Sequence, residues 1–375
     1  MSDPFFALTP ITLPDGSALT PYAWDDWVGL PGVARLDDCP QDPEWHAEGD
    51  VGIHTRMVLT ALQADPRWQT LDPTLREDLF IACLWHDIAK PQVTREDGGR
   101  IRSPGHSARG ARAARAMAWR AGLPRERRER IAYLVLTHQV PFFAIDRDDA
   151  QLKLALLSQV LRPDLLATVN LADGLGRTCA DQQRLVDNNA LFRLAAEDLG
   201  CLDGPWPFAS AHARLRSARD DRPLAAPAFD DTWGEVVVMS GLPGSGKDTW
   251  LAEHWDGPVV SLDGIRRELG VAHGDDQGPV VRLARERAKE HLRAKQPFAW
   301  NATNLSRDLR NRAVSLAVDY GAAVRIVATE APLLVLLERN ADREARVPDK
   351  ALMRMLRRWE APSCLECHTL QVVET

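Results

Sequence analysis

The sequence predicts a multidomain chain: an all-α N-terminal half followed by an α/β half built on a parallel sheet. Three observations carry this expectation. The 375 residues exceed one compact unit of about 150. Apolar residues recur at helical spacing through Val51–Leu62, Thr74–Ala89, Ser107–Ala121, Arg127–His138, Ala150–Val160 and Asp164–Leu175. Beyond a charged, proline-containing stretch, β-branched runs at Val236–Met239, Pro258–Ser261 and Val324–Ala328 alternate with helical segments such as Val280–Lys295.

Taken in order, the entry to about Asp50 is rich in Pro and Asp and reads as loop. His86-Asp87-Ile88-Ala89-Lys90-Pro91 reads as a helix closing at its proline. Arg219–Asp231 lacks periodicity and reads as a linker, so the expected boundaries are a first domain over 1–218, a linker over 219–233 and a second domain over 234–375. Composition is ordinary for a globular protein, 45% hydrophobic and 26% charged. No apolar run approaches the roughly 18 residues that span a bilayer, and Met1-Ser2-Asp3-Pro4 lacks a basic lead into an apolar stretch. A cytoplasmic protein without a membrane partner is expected, with its six scattered cysteines as reduced thiols. Net charge is −7, but residues 1–50 hold ten acids against Arg35 alone. The remainder is therefore mildly basic, and a nucleic-acid substrate is not excluded.

After the first β-branched run comes Gly241-Leu242-Pro243-Gly244-Ser245-Gly246-Lys247, then a helical segment. That context fits a phosphate-binding loop: glycines let backbone N–H groups and the helix N-terminus face an anion, and Lys247 reaches the terminal phosphates. The expected nucleotide-binding residues are Gly241, Gly244, Ser245, Gly246, Lys247, Asp248 and Thr249. Asp248 stands where Ser or Thr normally offers a hydroxyl to Mg²⁺, which leaves the metal ligand open between its carboxylate, a water and Thr249. Asp263, at the carboxyl end of the next strand, is placed to take a proton from an attacking hydroxyl, and Arg266 to hold a substrate phosphate. Arg339 and Arg343, four apart, suit a lid that neutralises transition-state charge.

The helical half carries His54, His86-Asp87, His106, His138 and Asp173. Imidazoles and carboxylates converging inside a bundle make a transition-metal site, with an Asp able to bridge two ions. Eleven arginines against four acids between Arg95 and Arg130 form either a backbone-steering patch, through Arg109, Arg112 and Arg115, or a solvated helix face. Cys364-Leu365-Glu366-Cys367-His368 spells a c-type haem motif but has no export signal beside it.

Two resemblances sharpen this reading. Gly241–Lys247, Asp263-x-x-Arg266, Thr303-Asn304 and Arg339-x-x-x-Arg343 followed by Val347-Pro348 resemble the polynucleotide 5′-kinase family over about residues 234–370. The resemblance implies Asp263 as general base, Arg266 on the acceptor phosphate, and Arg343 as chief lid arginine with Arg339 assisting. It also implies ATP or another NTP with Mg²⁺. Family members commonly carry an Asp before the Thr-Asn pair, where this chain has Ala302.

The order His, His-Asp, His, His, Asp resembles the HD phosphohydrolase superfamily over about 20–200. The flanks Pro43–His54 and Ala172–Arg177 look like the HD domain attached to CCA-adding nucleotidyltransferases. That resemblance implies His54, His86, Asp87 and Asp173 as core ligands, with His106 and His138 completing a second position. The ions implied are one or two of Mn²⁺, Co²⁺, Ni²⁺ or Zn²⁺. His46, Lys90 and Arg177 are the expected contacts to substrate phosphate. Joined, the modules resemble the bifunctional bacterial HD-domain polynucleotide kinases. This implies RNA or DNA ends as substrates, healed by 5′-phosphorylation and by removal of 2′,3′-cyclic or 2′-phosphates for a downstream ligase. The alternative is a nucleotide-pool phosphohydrolase fused to a small-metabolite kinase.

Overall fold

The structure is a computed structural model that describes residues 32–375 apart from 225, 227, 273, 344 and 345. The first 31 residues of the expected entry loop lie outside it. The chain divides into two units, Met1–Trp206 and Pro207–Thr375. Among the described residues no helix is long and apolar enough to cross a membrane.

The N-terminal unit is helical: α1 (Val51–Ala64), α2 (Pro73–Trp85), α3 (His106–Arg120), α4 (Arg125–Thr137), α5 (Ala150–Ser158), α6 (Pro163–Leu175) and α7 (Gln182–Asp198). Caps explain where several begin. The Asp50 carboxylate accepts the Ile53 N–H at 2.8 Å, and Asp72 accepts that of Leu75 at 3.0 Å, with Pro73 in the first turn. The apolar stripes meet in one core that includes the fully buried Leu36, Leu62, Leu79, Phe80 and Trp85. Each such side chain contributes roughly 1.5–3 kcal/mol on leaving water.

The helix expected to run to Ala89 stops at Trp85, and Pro91 sits in the first turn of a new short helix, Lys90–Val93. Proline fits there because the first N–H groups of a helix have no partner to lose. A small antiparallel hairpin, β1 (Arg95–Asp97) and β2 (Arg100–Arg102), follows it.

The C-terminal unit opens with α8 (Ala211–Asp220), then β3 (Glu235–Ser240), α9 (Lys247–His254), β4 (Val259–Ser261), α10 (Leu262–Leu269), α11 (Gly278–Arg293), β5 (Phe298–Asn301), α12 (Arg307–Asp319), β6 (Ala323–Glu330), α13 (Leu333–Ala341), α14 (Asp349–Arg358) and β7 (Thr369–Glu374). The five strands are all parallel, in the order β4-β5-β3-β6-β7. Both faces of β3 are covered: Val236 and Val238 pack with Phe298 and Ile326, while Val237 and Met239 pack with Ala299 and Val327. Two-sided burial is why these strands read as unbroken apolar runs.

A boundary at 218 would assign α8 to the first domain. Its contacts lie in the second: Arg214 donates to the Cys364 and His368 carbonyls, and Arg219 to Asn311. The C-x-x-C-H segment is likewise a packing element. His368 Nδ1 accepts the Val324 N–H at 2.9 Å, and its Nε2 faces His212 Nδ1 at 3.1 Å.

Candidate functional site

The six expected metal-site residues of the N-terminal unit converge. His54 lies on α1 and Asp173 on α6, His86 and His138 cap the C-termini of α2 and α4, and His106 opens α3. Three of the rings are aimed by one local device. Nδ1 of His86, His106 and His138 lies 2.6, 2.8 and 2.8 Å from the carbonyl three residues earlier. A carbonyl only accepts, so each Nδ1 carries the proton and each Nε2 keeps its lone pair.

His54 is set in the same tautomer from another direction, with Nδ1 3.1 Å from the Gly176 carbonyl and 3.0 Å from Glu48 Oε1. Gly176 has to be glycine for this approach. A Cβ there would stand 2.5 Å from Val58 Cγ2 and 2.9 Å from Val58 N.

The lone pairs gather on two carboxylates. His86 Nε2 lies 3.2 Å and His54 Nε2 4.0 Å from Asp87 Oδ2, while His106 and His138 face Asp87 Oδ1 at 3.3 and 4.0 Å. His54 Nε2 is also 3.2 Å from Asp173 Oδ1. Two triads share Asp87, His54–His86–Asp87 and Asp87–His106–His138, and a third group, His46–Glu48–His54, adjoins them through His54; in each the ligand atoms lie within 4.8 Å of one another. His54 Nε2, His86 Nε2, His138 Nε2 and Asp87 Oδ1 are buried without a hydrogen-bond partner despite these approaches. Leaving several buried polar atoms unsatisfied is costly unless a cation supplies the missing partner. The donor set, neutral imidazole with carboxylate, fits a transition-metal ion.

Electrostatics keep Asp87, Asp173, His106 and His138 in binding form, whereas at His54 burial is outweighed by Asp173 and Glu48, which raise the ring's pKa. Burial pushes the Asp87 carboxyl up, but the Lys90 ammonium 2.7 Å away and His86 hold it well below the ordinary range. Burial likewise opposes, and Arg177 together with His54 outweighs it, at Asp173. Burial pushes His138 down to about 3, with His86 adding to the effect, and lowers His106.

Of the expected phosphate contacts, His46, Lys90 and Arg177 line a cavity of about 310 Å³ that His106 also borders. Lys90 and Arg177 are also tied inward. Lys90 Nζ sits 2.7 Å from both Asp87 and Gln41 Oε1, and Arg177 grips Asp173 through two bonds of 3.0 and 2.9 Å. Sequence reasoning missed Glu48. Its carboxylate accepts from His46 at 2.8 Å and from the Thr178 N–H at 2.8 Å as well as facing His54, and these bonds overcome burial to lower its pKa. Its place two residues after His46 was the available signal.

The arginine-rich stretch is largely structural. Arg115 and Arg128 are buried on Glu129, with Arg128 4.1 Å over the Trp119 ring. Arg127 and Arg130 hold Asp78, and Arg100 holds Asp42 and Glu44. A steering face through Arg115 is therefore corrected: buried carboxylates on neighbouring helices take up the charge.

In the C-terminal unit the expected loop joins β3 to α9. A Cβ on Gly241 would lie 2.4 Å from Ser245 Oγ and 2.6 Å from the Thr329 carbonyl, so only glycine lets the loop start here. Ser245 Oγ meets Thr329 Oγ1 at 2.7 Å, while the Gly241 N–H donates to Thr303 O at 2.9 Å. Lys247 donates to the Gly241 and Leu242 carbonyls at 2.9 Å each, and burial lowers its ammonium to about 8. Asp248, Arg343 and Asp263 also act on Lys247 electrostatically.

Asp248 Oδ1 accepts from Asn301 Nδ2 at 2.7 Å, and Thr249 beside it is exposed. The sequence marks Asn301 only as polar at a strand terminus, and its role beside Asp248 carries no motif. Asp263 is exposed in the first turn of α10 and paired with Arg266. Arg339 reaches Thr375 Oγ1 at 2.7 Å and the Gly244 carbonyl at 3.4 Å. Arg343 does not share its helix, since α13 ends at Ala341.

Residues 236–362 match the family model described as an AAA domain. Multifunctional CCA proteins are similar to a segment of the chain. That of Halorhodospira halophila is 38% identical over 106 residues, 28% of this chain and 23% of the relative. That of Acidovorax sp. strain JS42 is 40% identical over 104 residues, 27% and 22%. The chain thus spans under a quarter of the length of these curated relatives. Among solved structures, a putative kinase from Chloroflexus aurantiacus shares 21% identity at a TM-score of 0.33, covering 39% of this chain and 87% of its own. A gluconokinase from Sinorhizobium meliloti shares 22% at 0.29, covering 38% and 83%. Likeness at those scores carries no argument about function.

Proposed function

We propose that the chain heals nucleic-acid ends with two active sites: an HD-type metal phosphohydrolase acting on 2′,3′-cyclic or 2′-phosphates, and a polynucleotide kinase acting on 5′-hydroxyls. The buried, unpartnered Nε2 atoms around Asp87 carry the first half. His54, His86, Asp87 and Asp173 would hold one ion, and His106 and His138 with Asp87 would hold a second. A bound ion supplies Lewis acidity there and activates water toward phosphorus. Lys90 and Arg177 place positive charge beside the incoming phosphate, and Glu48 orients His46 and His54. Similarity to multifunctional CCA proteins supports a nucleotide-related substrate.

In the kinase site, Lys247 exchanges the Gly241 and Leu242 carbonyls for the NTP phosphates. The Asp248 carboxylate, steadied by Asn301, and the Thr249 hydroxyl offer the hard oxygen donors that Mg²⁺ requires. Asp263 accepts the proton of the attacking hydroxyl, Arg266 holds the acceptor phosphate, and Arg339 and Arg343 offset charge developing on the transferred phosphoryl group. The test is labelled ATP offered with a 5′-hydroxyl oligonucleotide or with free nucleosides. Label on the oligonucleotide is expected; label only on nucleosides would overturn the proposal in favour of a small-metabolite kinase.

A further inference from the structure

The cavity beside the metal-binding histidines is lined by two chemically different kinds of side chain. Its lining includes the cationic Lys90 and Arg177 and the imidazoles of His46 and His106, and also the aromatic rings of Trp45 and Phe143. Phe143 is 58% exposed although its neighbour Phe142 is 1% exposed and packs beneath Arg177, with 4.9 Å between guanidinium and ring. The Phe143 ring meets Phe142 edge-to-face at 6.2 Å between centroids, and the rest of it is exposed. A ring at a cavity wall offers a π-face, and one cavity lined by both cationic and aromatic side chains is chemically complementary to a nucleotide. The volume of about 310 Å³ lies at the low end of small-ligand sites, room for one nucleotide rather than a duplex.

We infer that Phe143, with Trp45, is the stacking platform for the base of the terminal nucleotide whose phosphate is hydrolysed. The phosphohydrolase site thereby selects an unpaired nucleoside end over other phosphomonoesters. Selection by stacking tolerates any base, because every base has a π-face. Arg184, which also lines the cavity, adds charge suited to the backbone of the preceding nucleotide.

This inference rests on the phosphohydrolase reading above, and the experiment separates the two. The Mn²⁺-loaded full chain is assayed on 2′-AMP and on glycerol 2-phosphate, which lacks a base. In Phe143→Leu the ratio of kcat/KM for 2′-AMP to that for glycerol 2-phosphate should fall about tenfold, within the range for loss of one base–aromatic stack. The change should appear in KM, and Phe143→Trp should restore the ratio. An equal loss on both substrates, or an unchanged ratio, would overturn the platform.

If the parent chain hydrolyses neither substrate, the failure belongs to the phosphohydrolase reading. Calorimetric binding of 2′-AMP in the Lys247→Ala background, where the P-loop does not contribute, then decides the platform. A dissociation constant about tenfold weaker in Phe143→Leu supports it, and an unchanged one overturns it.

Discussion

Asp87 belongs to two of the three candidate ligand groups, so its replacement should empty both of those positions, whereas replacing His106 removes a ligand from one. In the parent chain, Mn²⁺ at a hundred times its dissociation constant stabilises by about 2.7 kcal/mol per ion. For a unit of 150–250 residues, about 2–4 °C accompany each kcal/mol, so one ion raises the melting transition by roughly 5–10 °C and two by about twice that. Asp87→Asn keeps the side-chain volume but leaves the buried Lys90 ammonium with Gln41 as its remaining partner, costing about 3 kcal/mol without any metal. The informative quantity is therefore the metal-induced shift, measured by scanning calorimetry with and without chelator, alongside metal content. The expected pattern is two ions in the parent, one in His106→Ala and none in Asp87→Asn, with the shift following. A full Mn²⁺ shift in Asp87→Asn would refute the shared-ligand argument.

Three further outcomes follow from the geometry. Burial lowers Lys247 to about 8, so above that pH Lys247 in the free site loses its charge and nucleotide binding must take up a proton; ATP affinity should weaken about fivefold from pH 8 to 9 by titration calorimetry, and a flat profile would contradict this. Arg115→Ala should destabilise by about 3 kcal/mol in urea, since Glu129 keeps Arg128 as a partner, while the exposed Arg109→Ala stays within about 0.5 kcal/mol. Gly176→Ala should cost about 1–3 kcal/mol and lower metal content together, because its methyl group must displace the Val58 segment that faces the His54 support.

The fold class was legible because its signals are local. The Gly241–Lys247 loop and the β-branched runs each report on neighbouring residues, and the His and Asp order survives in one dimension. The structure brings those side chains to one place because each sits at a helix end or on an inward face. What escaped depends on distant pairing. Glu48 matters through Thr178 and His54, and Asn301 through Asp248, contacts that no spacing announces. The arginine-rich stretch misled for the same reason, since Asp78 and Glu129, which absorb its charge, lie on other turns and helices. The hairpin at Asp97-Gly98-Gly99 was not read from the sequence, although its two glycines adopt φ of 61° and 76° as a tight primed turn requires.

The central claim is two independent reactions on one chain. The most direct test is an oligonucleotide with a 5′-hydroxyl and a 2′,3′-cyclic phosphate end, offered with ATP, Mg²⁺ and Mn²⁺ to Asp87→Asn and Asp263→Ala. The account predicts that Asp87→Asn phosphorylates the 5′ end and leaves the cyclic phosphate, while Asp263→Ala opens the cyclic phosphate and leaves the 5′-hydroxyl. Loss of both reactions in either folded variant, or retention of both, would contradict it.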